Sequence, residues 1–87
     1  MPRTKVALVT GSATGIGRAV AVKFAQAGLA VAVNYSRSEE DARQTVAEVE
    51  RHGAAALLCQ ANVAEEAAVR DMVRRCKEEL GGLDILV

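Results

Sequence analysis

The sequence has no surplus of charge of either sign. Eleven lysine and arginine residues balance eleven aspartate and glutamate residues, so the formal net charge of the 87-residue chain is zero. A chain without a basic field has no general attraction for nucleic acid or for an anionic membrane surface. We therefore expect neither as a partner, and any anion that binds must be held by local geometry.

Long apolar runs and a secretory leader are also missing. Every apolar stretch is interrupted by charges well before the roughly 18 residues that a membrane helix requires. The amino-terminal residues lead straight into an apolar strand, without the hydrophobic segment and cleavage site of a signal peptide. These features predict a cytoplasmic protein with no membrane partner.

Cysteine and histidine are too scarce to suggest a metal site. Cys59 and Cys76 lack metal-ligand spacing, and His52 is the only histidine. We interpret the cysteines as reduced, buried small hydrophobic residues, with a disulfide as the less favoured alternative. His52 ends a predicted helix, where an interaction with the helix dipole is a sufficient role.

What the sequence does contain is a regular alternation of strand and helix patterns. Continuous apolar runs, typical of strands buried on both faces, cover residues 5–10, 29–35, 54–60 and 83–87. Apolar residues at helical spacing fill the three segments between them, and each segment ends at glycine. The order βαβαβαβ predicts an α/β fold, a Rossmann-type parallel sheet truncated after the fourth strand.

Several details of this fold follow from the pattern. Ile16, Val20 and Phe24 recur every four residues, which predicts the first helix. Ser38 with Asp41 indicates a capping box at the start of the second helix. Right-handed crossovers should place the first two helices on one face and the third on the other. The fourth strand would then be an apolar edge, so we expect a homo-oligomer or association with another chain.

The segment between the first strand and the first helix carries the chemistry. It reads Thr-Gly-Ser-Ala-Thr-Gly-Ile-Gly-Arg over residues 10–18, and no Gly-Lys-Ser/Thr of a phosphate-loop NTPase follows. Glycines remove the Cβ atoms that would keep a diphosphate from the main chain, and the helix directs free N–H groups at the anion. A purely structural tight turn is the alternative. The residues predicted to form this dinucleotide site are Gly11, Ser12, Ala13, Thr14, Gly15, Ile16 and Gly17.

The Thr-Gly-x-x-x-Gly-Ile-Gly motif resembles that of the NAD(P)-dependent short-chain dehydrogenases/reductases. The resemblance extends to Val-Asn-Tyr at residues 33–35, to Asn62-Val63 and to Leu-Asp-Ile-Leu-Val at residues 83–87. It implies that residues 1–87 are the N-terminal dinucleotide-binding part of an oxidoreductase acting on a small carbonyl or alcohol substrate. The branch that the chain most resembles is the 3-oxoacyl-[acyl-carrier-protein] reductases.

The resemblance also implies a place for the adenine ring after the third strand. The Asn62 amide oxygen can accept a hydrogen bond from the adenine amino group, and the Val63 N–H can donate to the ring. The alternative for Asn62 is an asparagine that only shapes the turn.

The end of the second strand bears on the choice between NADP and NAD. An acidic residue there suits NAD, because it accepts hydrogen bonds from the ribose 2′-OH and would repel a 2′-phosphate. Here Tyr35 holds that position, and Ser36, Arg37 and Ser38 follow. A guanidinium and two hydroxyls suit a 2′-phosphate, so we expect NADP in preference to NAD. Alternatively, Arg37 is a solvated loop charge and Ser38 a plain helix cap.

No catalytic residue is assigned. The resemblance implies a catalytic tyrosine with a lysine four residues later, but the only tyrosine is Tyr35, and Glu39 is the residue four positions on. A neighbouring anion raises the pKa of a phenol instead of lowering it. We expect the 87-residue chain to be inactive alone, and a non-catalytic nucleotide-binding or assembly module is the alternative function.

Overall fold

A computed structural model describes residues 3–87 as one four-stranded parallel sheet with three helices. The strand order is β3-β2-β1-β4. This architecture confirms the predicted Rossmann-type α/β fold. The elements are β1 (Val6–Val9), α1 (Gly15–Gln26), β2 (Ala30–Tyr35), α2 (Glu39–Arg51), β3 (Ala56–Gln60), α3 (Glu66–Glu79) and β4 (Ile85–Leu86).

The two central strands form the core of the sheet. Every residue of β1 and β2 is buried, as expected for apolar strands covered on both faces. The register pairs Val6 with Ala30 and Val9 with Val33. Apart from the Tyr35 hydroxyl, the Asn34 amide is the one polar side-chain group in these two strands, and Asn34 is only 2% exposed.

The helices divide between the two faces as predicted. The face formed by Val9, Val31 and Val33 packs against α1 and α2. The opposite face, with Val6 and Leu8, packs against α3. The division follows from alternation along the strands, where successive side chains point to opposite faces.

The fourth strand is shorter than predicted. Only Ile85–Leu86 is strand, although hydrogen bonds to β1 run from Asp84 to Val87. The outer side of β4 has no strand partner within residues 3–87, and Leu86 is 56% exposed. The prediction of an apolar sheet edge is confirmed.

The predicted first helix is confirmed, but Ile16 takes no part in its packing on the sheet. Ile16 is 86% exposed, and α1 packs through Ala21 and Ala25, with Val20 and Phe24 half-buried beside them. The reason is that Ile16 lies in the first turn, where the helix begins at the edge of the sheet and does not yet cover it.

The capping box at α2 is also absent. Ser38 is the N-cap residue, but its hydroxyl makes no capping hydrogen bond. Its φ of −92° and ψ of 66° depart from the extended conformation that directs an N-cap side chain onto the helix. Glu39, Glu40 and Asp41 in the first turn instead supply the negative charge that suits the helix dipole.

Cys59 of β3 and Cys76 of α3 are free thiols buried in the core between the sheet and α3. Burial raises the pKa of Cys59 to about 11, so this thiol stays protonated at neutral pH. No helix within residues 3–87 combines the length and apolar character needed to span a bilayer. No group of three or more metal-binding side chains converges in that part of the chain either.

Candidate functional site

Three loops lie side by side at the carboxyl edge of the sheet. They follow the adjacent strands β1, β2 and β3, and we call them the glycine loop (residues 10–18), the β2–α2 loop (residues 36–38) and the β3–α3 loop (residues 61–65). The glycine loop includes the first turn of α1. All twelve residues that the sequence assigned to a cofactor lie in these loops. Such an edge is where ligands bind in open α/β sheets.

Two kinds of glycine shape the glycine loop. Gly11 and Gly15 have φ of +60°, a conformation that side chains with a Cβ rarely adopt. Gly17 is needed for close packing, since a Cβ there would lie 2.2 Å from the Gly11 carbonyl oxygen. By contrast, a Cβ at Gly15 would meet no atom within 4 Å. The loop is therefore packed from below at Gly17 and open above Gly15.

Five consecutive amides of this loop have free N–H groups. Within residues 3–87, the amides of residues 13–17 find no hydrogen-bond acceptor, and the first helical bond runs from Arg18 N–H to the Thr14 carbonyl at 3.3 Å. Free N–H groups and the positive dipole end of α1 together form an anion site. Such an arrangement has the donors and the positive charge that a diphosphate requires.

Gly11 and Ser12 lie beneath that row of amides. The Gly11 N–H donates to Asn34 Oδ1 at 3.0 Å, and the Ser12 N–H donates to the Asn34 carbonyl at 2.9 Å. Ser12 is fully buried, and its hydroxyl donates to the Val9 carbonyl at 2.7 Å. Both amides are thus used inside the protein, so these two residues support the loop.

Arg18 and Thr45 hold the loop from the side of α2. The Arg18 guanidinium donates to the Ala13 carbonyl at 2.7 and 3.1 Å and to the Asp41 carbonyl at 2.8 Å. The buried Thr45 hydroxyl donates to the same Ala13 oxygen at 3.0 Å. Because the carbonyl of a trans peptide and the following N–H point in opposite directions, these bonds turn the Thr14 N–H outward.

The β2–α2 loop is open to solvent. Ser36, Arg37 and Ser38 are all exposed, and within residues 3–87 the Arg37 side chain makes no hydrogen bond or ion pair. The hydrogen bonds to this loop are accepted by its main-chain carbonyls, from Gln60 Nε2 to Ser36 at 3.4 Å, from the Glu39 N–H to Arg37 at 3.1 Å and from the Ala42 N–H to Ser38 at 3.0 Å. An unengaged guanidinium beside two hydroxyls leaves its donors available to an anionic ligand.

The acid nearest this loop is already engaged. Glu39 accepts hydrogen bonds from the Tyr35 hydroxyl at 3.1 Å and from Arg43 Nε at 3.0 Å. Both bonds lower the pKa of Glu39, and the bond from Arg43 has the larger effect. The pKa of Tyr35 is raised, mainly because the phenol is buried and also because its hydroxyl bonds to the anionic Glu39. The prediction that Glu39 opposes ionisation of Tyr35 is confirmed.

Asn62 and Val63 open the β3–α3 loop. Asn62 Oδ1 accepts the Ala64 N–H at 3.0 Å, and the Asn62 carbonyl accepts the Glu65 N–H at 3.0 Å. Asn62 therefore shapes this turn. Val63 is 50% exposed, and its N–H has no acceptor within residues 3–87.

A cleft of about 370 Å³ lies at the opposite edge of the sheet, between Thr4, Gly28, Gly53 and Leu80. Glu79 is its only charged residue, and a carboxylate does not suit a diphosphate. The glycine loop, with free N–H donors and open space above Gly15, suits an anion better.

Asn34 is the site residue that the sequence pattern did not reveal. It belongs to a strand pattern, and its function depends on partners in two loops that are distant in the sequence. Its Nδ2 donates to the carbonyls of Cys59 at 3.3 Å and Ala61 at 3.2 Å, while its Oδ1 accepts from Gly11. The available signal was an amide at the end of an otherwise apolar buried run.

Comparison with known proteins identifies the class. Residues 5–87 match the family model described as short chain dehydrogenase. The chain belongs to the short-chain dehydrogenase/reductase family. It shares the family's nucleotide-binding fold, as the strand order and the glycine loop indicate.

Individual relatives refine this class. The chain is 45% identical over 83 residues to the short-chain dehydrogenase/reductase homolog YusS of Bacillus subtilis. This alignment covers 95% of this chain and 76% of YusS. It is 44% identical over 87 residues to the 3-oxoacyl-[acyl-carrier-protein] reductase FabG of Staphylococcus aureus, covering 100% of this chain and 35% of the reductase.

A solved structure shares the fold closely. The short chain dehydrogenase of Burkholderia cenocepacia, in complex with NADP, superposes with a TM-score of 0.91 at 46% identity. The match covers 97% of this chain and 34% of that one. The chain thus spans about a third of the length of this dehydrogenase and of the FabG reductase.

Proposed function

We propose that this chain is the NADP-binding part of a short-chain oxidoreductase. The row of five free amides at residues 13–17, aligned with the N-terminus of α1, is the observation that carries the proposal. It offers donors and a positive dipole end to a diphosphate, and the exposed surface above Gly15 admits the ligand.

The proposed cofactor lies across all three loops. Ala13, Thr14, Gly15, Ile16 and Gly17 bind the diphosphate, while Gly11 and Ser12 support them from below. Arg37, with the hydroxyls of Ser36 and Ser38, binds the 2′-phosphate that distinguishes NADP from NAD. The Asn62 amide oxygen accepts a hydrogen bond from the adenine amino group, and the Val63 N–H donates to the adenine ring. The NADP complex of the Burkholderia cenocepacia relative supports this choice of cofactor.

The complete reaction is proposed from the family. In it, a hydride passes between the bound nicotinamide and a small carbonyl or alcohol substrate, and the 44% identity to FabG supports a 3-oxoacyl thioester as the carbonyl. Residues 1–87 would supply the nucleotide site and no catalytic group. Association with a second copy, or with another chain, would cover the apolar edge at β4.

Titration of the chain with NADPH, NADP⁺ and NADH by calorimetry tests the binding proposal. We expect one site per chain, with NADPH bound about tenfold more tightly than NADH because of charge-assisted bonds to the 2′-phosphate. No binding of either reduced cofactor at millimolar concentration would contradict the proposal.

A pair of matched variants locates the binding site. Gly15→Ala and Gly28→Ala each place a Cβ at a glycine with positive φ and open surroundings, but at opposite edges of the sheet. Each substitution strains the backbone by about 1–2 kcal/mol. Only Gly15→Ala should weaken NADPH binding. Equal effects on binding would contradict a diphosphate site at the glycine loop.

A non-catalytic nucleotide-binding module is the second candidate. The observation that favours it is the pairing of Tyr35 with an anion, Glu39, in place of the cation that would activate a phenol. Both candidates predict that the 87-residue chain alone does not oxidise NADPH in the presence of an acetoacetyl thioester. Oxidation by this chain would contradict both, because it requires a catalytic group within residues 1–87.

A further inference from the structure

We infer that Asn34 is a positioning residue that holds the glycine loop and the β3–α3 loop at one fixed separation. The inference rests on the proposed function, because the two loops bind opposite parts of the proposed dinucleotide. Asn34 contacts neither part itself. It lies in β2, between the two strands from which these loops emerge.

The side-chain amide of Asn34 is used completely. Oδ1 accepts the Gly11 N–H at 3.0 Å, and Nδ2 donates to the carbonyls of Cys59 and Ala61 at 3.3 and 3.2 Å. These partners fix the orientation of the amide, since only the oxygen can face an N–H and only the NH₂ can face two carbonyls. The main chain of Asn34 adds bonds to Ser12 on the same side as Gly11.

Pairing within the sheet does not require this amide. β2 pairs with β1 and β3 through its main chain, and the other residues of β2 are apolar apart from the Tyr35 hydroxyl. A buried amide is tolerated only when its polar atoms are satisfied. Here all the main-chain partners of the amide belong to the end of a neighbouring strand or its loop, and Nδ2 makes one further contact, with Met72 Sδ on α3 at 3.3 Å. The arrangement therefore serves the loops.

The two tethered loops carry different parts of the proposed ligand. Gly11 lies directly below the amides assigned to the diphosphate, and Ala61 immediately precedes Asn62, which is assigned to adenine. A ligand that spans both loops gains from their fixed separation, because less ordering remains to be done on binding. A ligand confined to the adenosine side gains nothing from the tether to Gly11.

Two variants of Asn34 remove the tether in different ways. Asn34→Asp keeps an acceptor for Gly11 but turns a carboxylate oxygen towards the carbonyls of Cys59 and Ala61, so the tether to the β3–α3 loop is lost. Asn34→Leu keeps the branched shape of the side chain but removes both halves of the tether. Val49→Ala is the matched control, since Val49 is fully buried in α2 and touches neither loop through a hydrogen bond.

The test compares two ligands on the folded full chain, at a temperature where circular dichroism shows each variant to be native. NADPH spans both loops, whereas adenosine 2′-monophosphate reaches only the adenosine side. We expect both Asn34 variants to lose about tenfold in affinity for NADPH and less than about threefold for adenosine 2′-monophosphate. Val49→Ala should leave both affinities unchanged. Equal losses for the two ligands, or none, would overturn the positioning role.

A second measurement needs no cofactor. Amide hydrogen exchange at Gly11 should be faster in Asn34→Leu than in Val49→Ala by about tenfold or more after correction for global stability. Unchanged exchange at Gly11 would overturn the inference even if the affinities fell. If the unaltered chain binds no NADPH, the proposed function fails, while exchange at Gly11 still decides whether Asn34 holds the loop.

Discussion

The glycine loop and the β2–α2 loop lie at the same edge of the sheet but are built differently. The glycine loop is fastened from three sides, by Asn34, by Arg18 with Thr45, and by hydrogen bonds from Thr10 to the Val87 carbonyl at 2.7 and 2.9 Å. The β2–α2 loop is exposed, and its Arg37 side chain has no partner in residues 3–87.

Because of this difference, we expect the two loops to contribute differently to cofactor binding. Donors that are held in place before binding lose little entropy when a ligand arrives, so the glycine loop should determine the affinity for any dinucleotide. An exposed guanidinium without a partner contributes through its charge, so Arg37 should determine the preference between two cofactors. Substitutions in the first loop should therefore alter folding and all binding, and those in the second should alter selectivity alone.

The largest effect is expected for Gly17→Ala. Alanine in the interior of a helix is ordinarily about 1 kcal/mol more favourable than glycine. Here the added Cβ would lie 2.2 Å from the Gly11 carbonyl oxygen and 2.8 Å from Ser12 Cα, so the helix must move away from the loop. We expect a loss of about 3 kcal/mol or more in the free energy of unfolding, measured by urea denaturation.

Ala19→Gly in the same helix is the control for this substitution. Ala19 is exposed, so only the ordinary propensity cost of about 1 kcal/mol should appear. If Gly17→Ala were neutral or stabilising, the close contact between α1 and the glycine loop would be contradicted.

An intermediate effect, confined to selectivity, is expected for Arg37→Ala. Removing the guanidinium should reduce the ratio of NADPH to NADH affinity about tenfold, because a hydrogen bond to a charged group contributes about 1.5–3 kcal/mol. Stability should change by less than about 0.5 kcal/mol, as is usual for an exposed side chain. Arg70→Ala on α3, another exposed arginine, should change neither quantity.

The two affinities would be measured by calorimetry at one ionic strength, because salt screens the 2′-phosphate contact. An equal fall in the affinities for NADPH and NADH would show that Arg37 contributes to the binding of both cofactors. The proposal that the β2–α2 loop determines selectivity alone would then be contradicted.

The smallest effect is expected at Asp84, at the opposite edge of the sheet. Its carboxylate accepts the Val6 N–H at 2.8 Å and pairs with Arg3, and these contacts lower the pKa of Asp84. A lowered pKa in the folded state means that the stabilisation is present above the unfolded value of about 3.9 and is lost as the pH falls through the folded pKa.

Asp84→Asn should therefore reduce the loss of stability on acidification below about pH 4, without changing NADPH affinity at pH 7. The urea midpoint at acid and neutral pH measures the first effect. Asp71→Asn on α3 is the matched control. A change in cofactor affinity comparable to that of Arg37→Ala would contradict the independence of the two edges.

The sequence pattern predicted those features that depend on short segments of chain. The apolar runs of β1 and β2, the glycines that end α1 and α2, and the division of helices between the faces all follow from local periodicity and from the handedness of crossovers. Periodicity located α1 but not the part of it that packs, because the helical repeat takes no account of where a helix begins to cover the sheet. The capping box at Ser38 is absent because its φ of −92° and ψ of 66° do not direct the hydroxyl onto the helix.

The network that supports the candidate site was beyond the reach of local patterns. Arg18 bonds to carbonyl groups of Ala13 and Asp41, and Asn34 bonds to both Gly11 and Ala61. Ala13 lies five residues from Arg18, but the other pairs are 23 or more residues apart in the sequence and meet only in the folded sheet with its helices. Motif spacing indicated the surface that faces the ligand, while the residues that hold this surface in place required the tertiary structure.

The central claim is that the free amides of residues 13–17 bind the cofactor diphosphate. Titration of ¹⁵N-labelled protein with NADPH, followed by amide chemical shifts, tests it directly. The account predicts the largest shifts at residues 13–17, with the amides of Gly28 and Gly53 unmoved at the opposite edge. Shifts concentrated at Gly28 and Gly53, or none at residues 13–17 in the presence of bound NADPH, would contradict it.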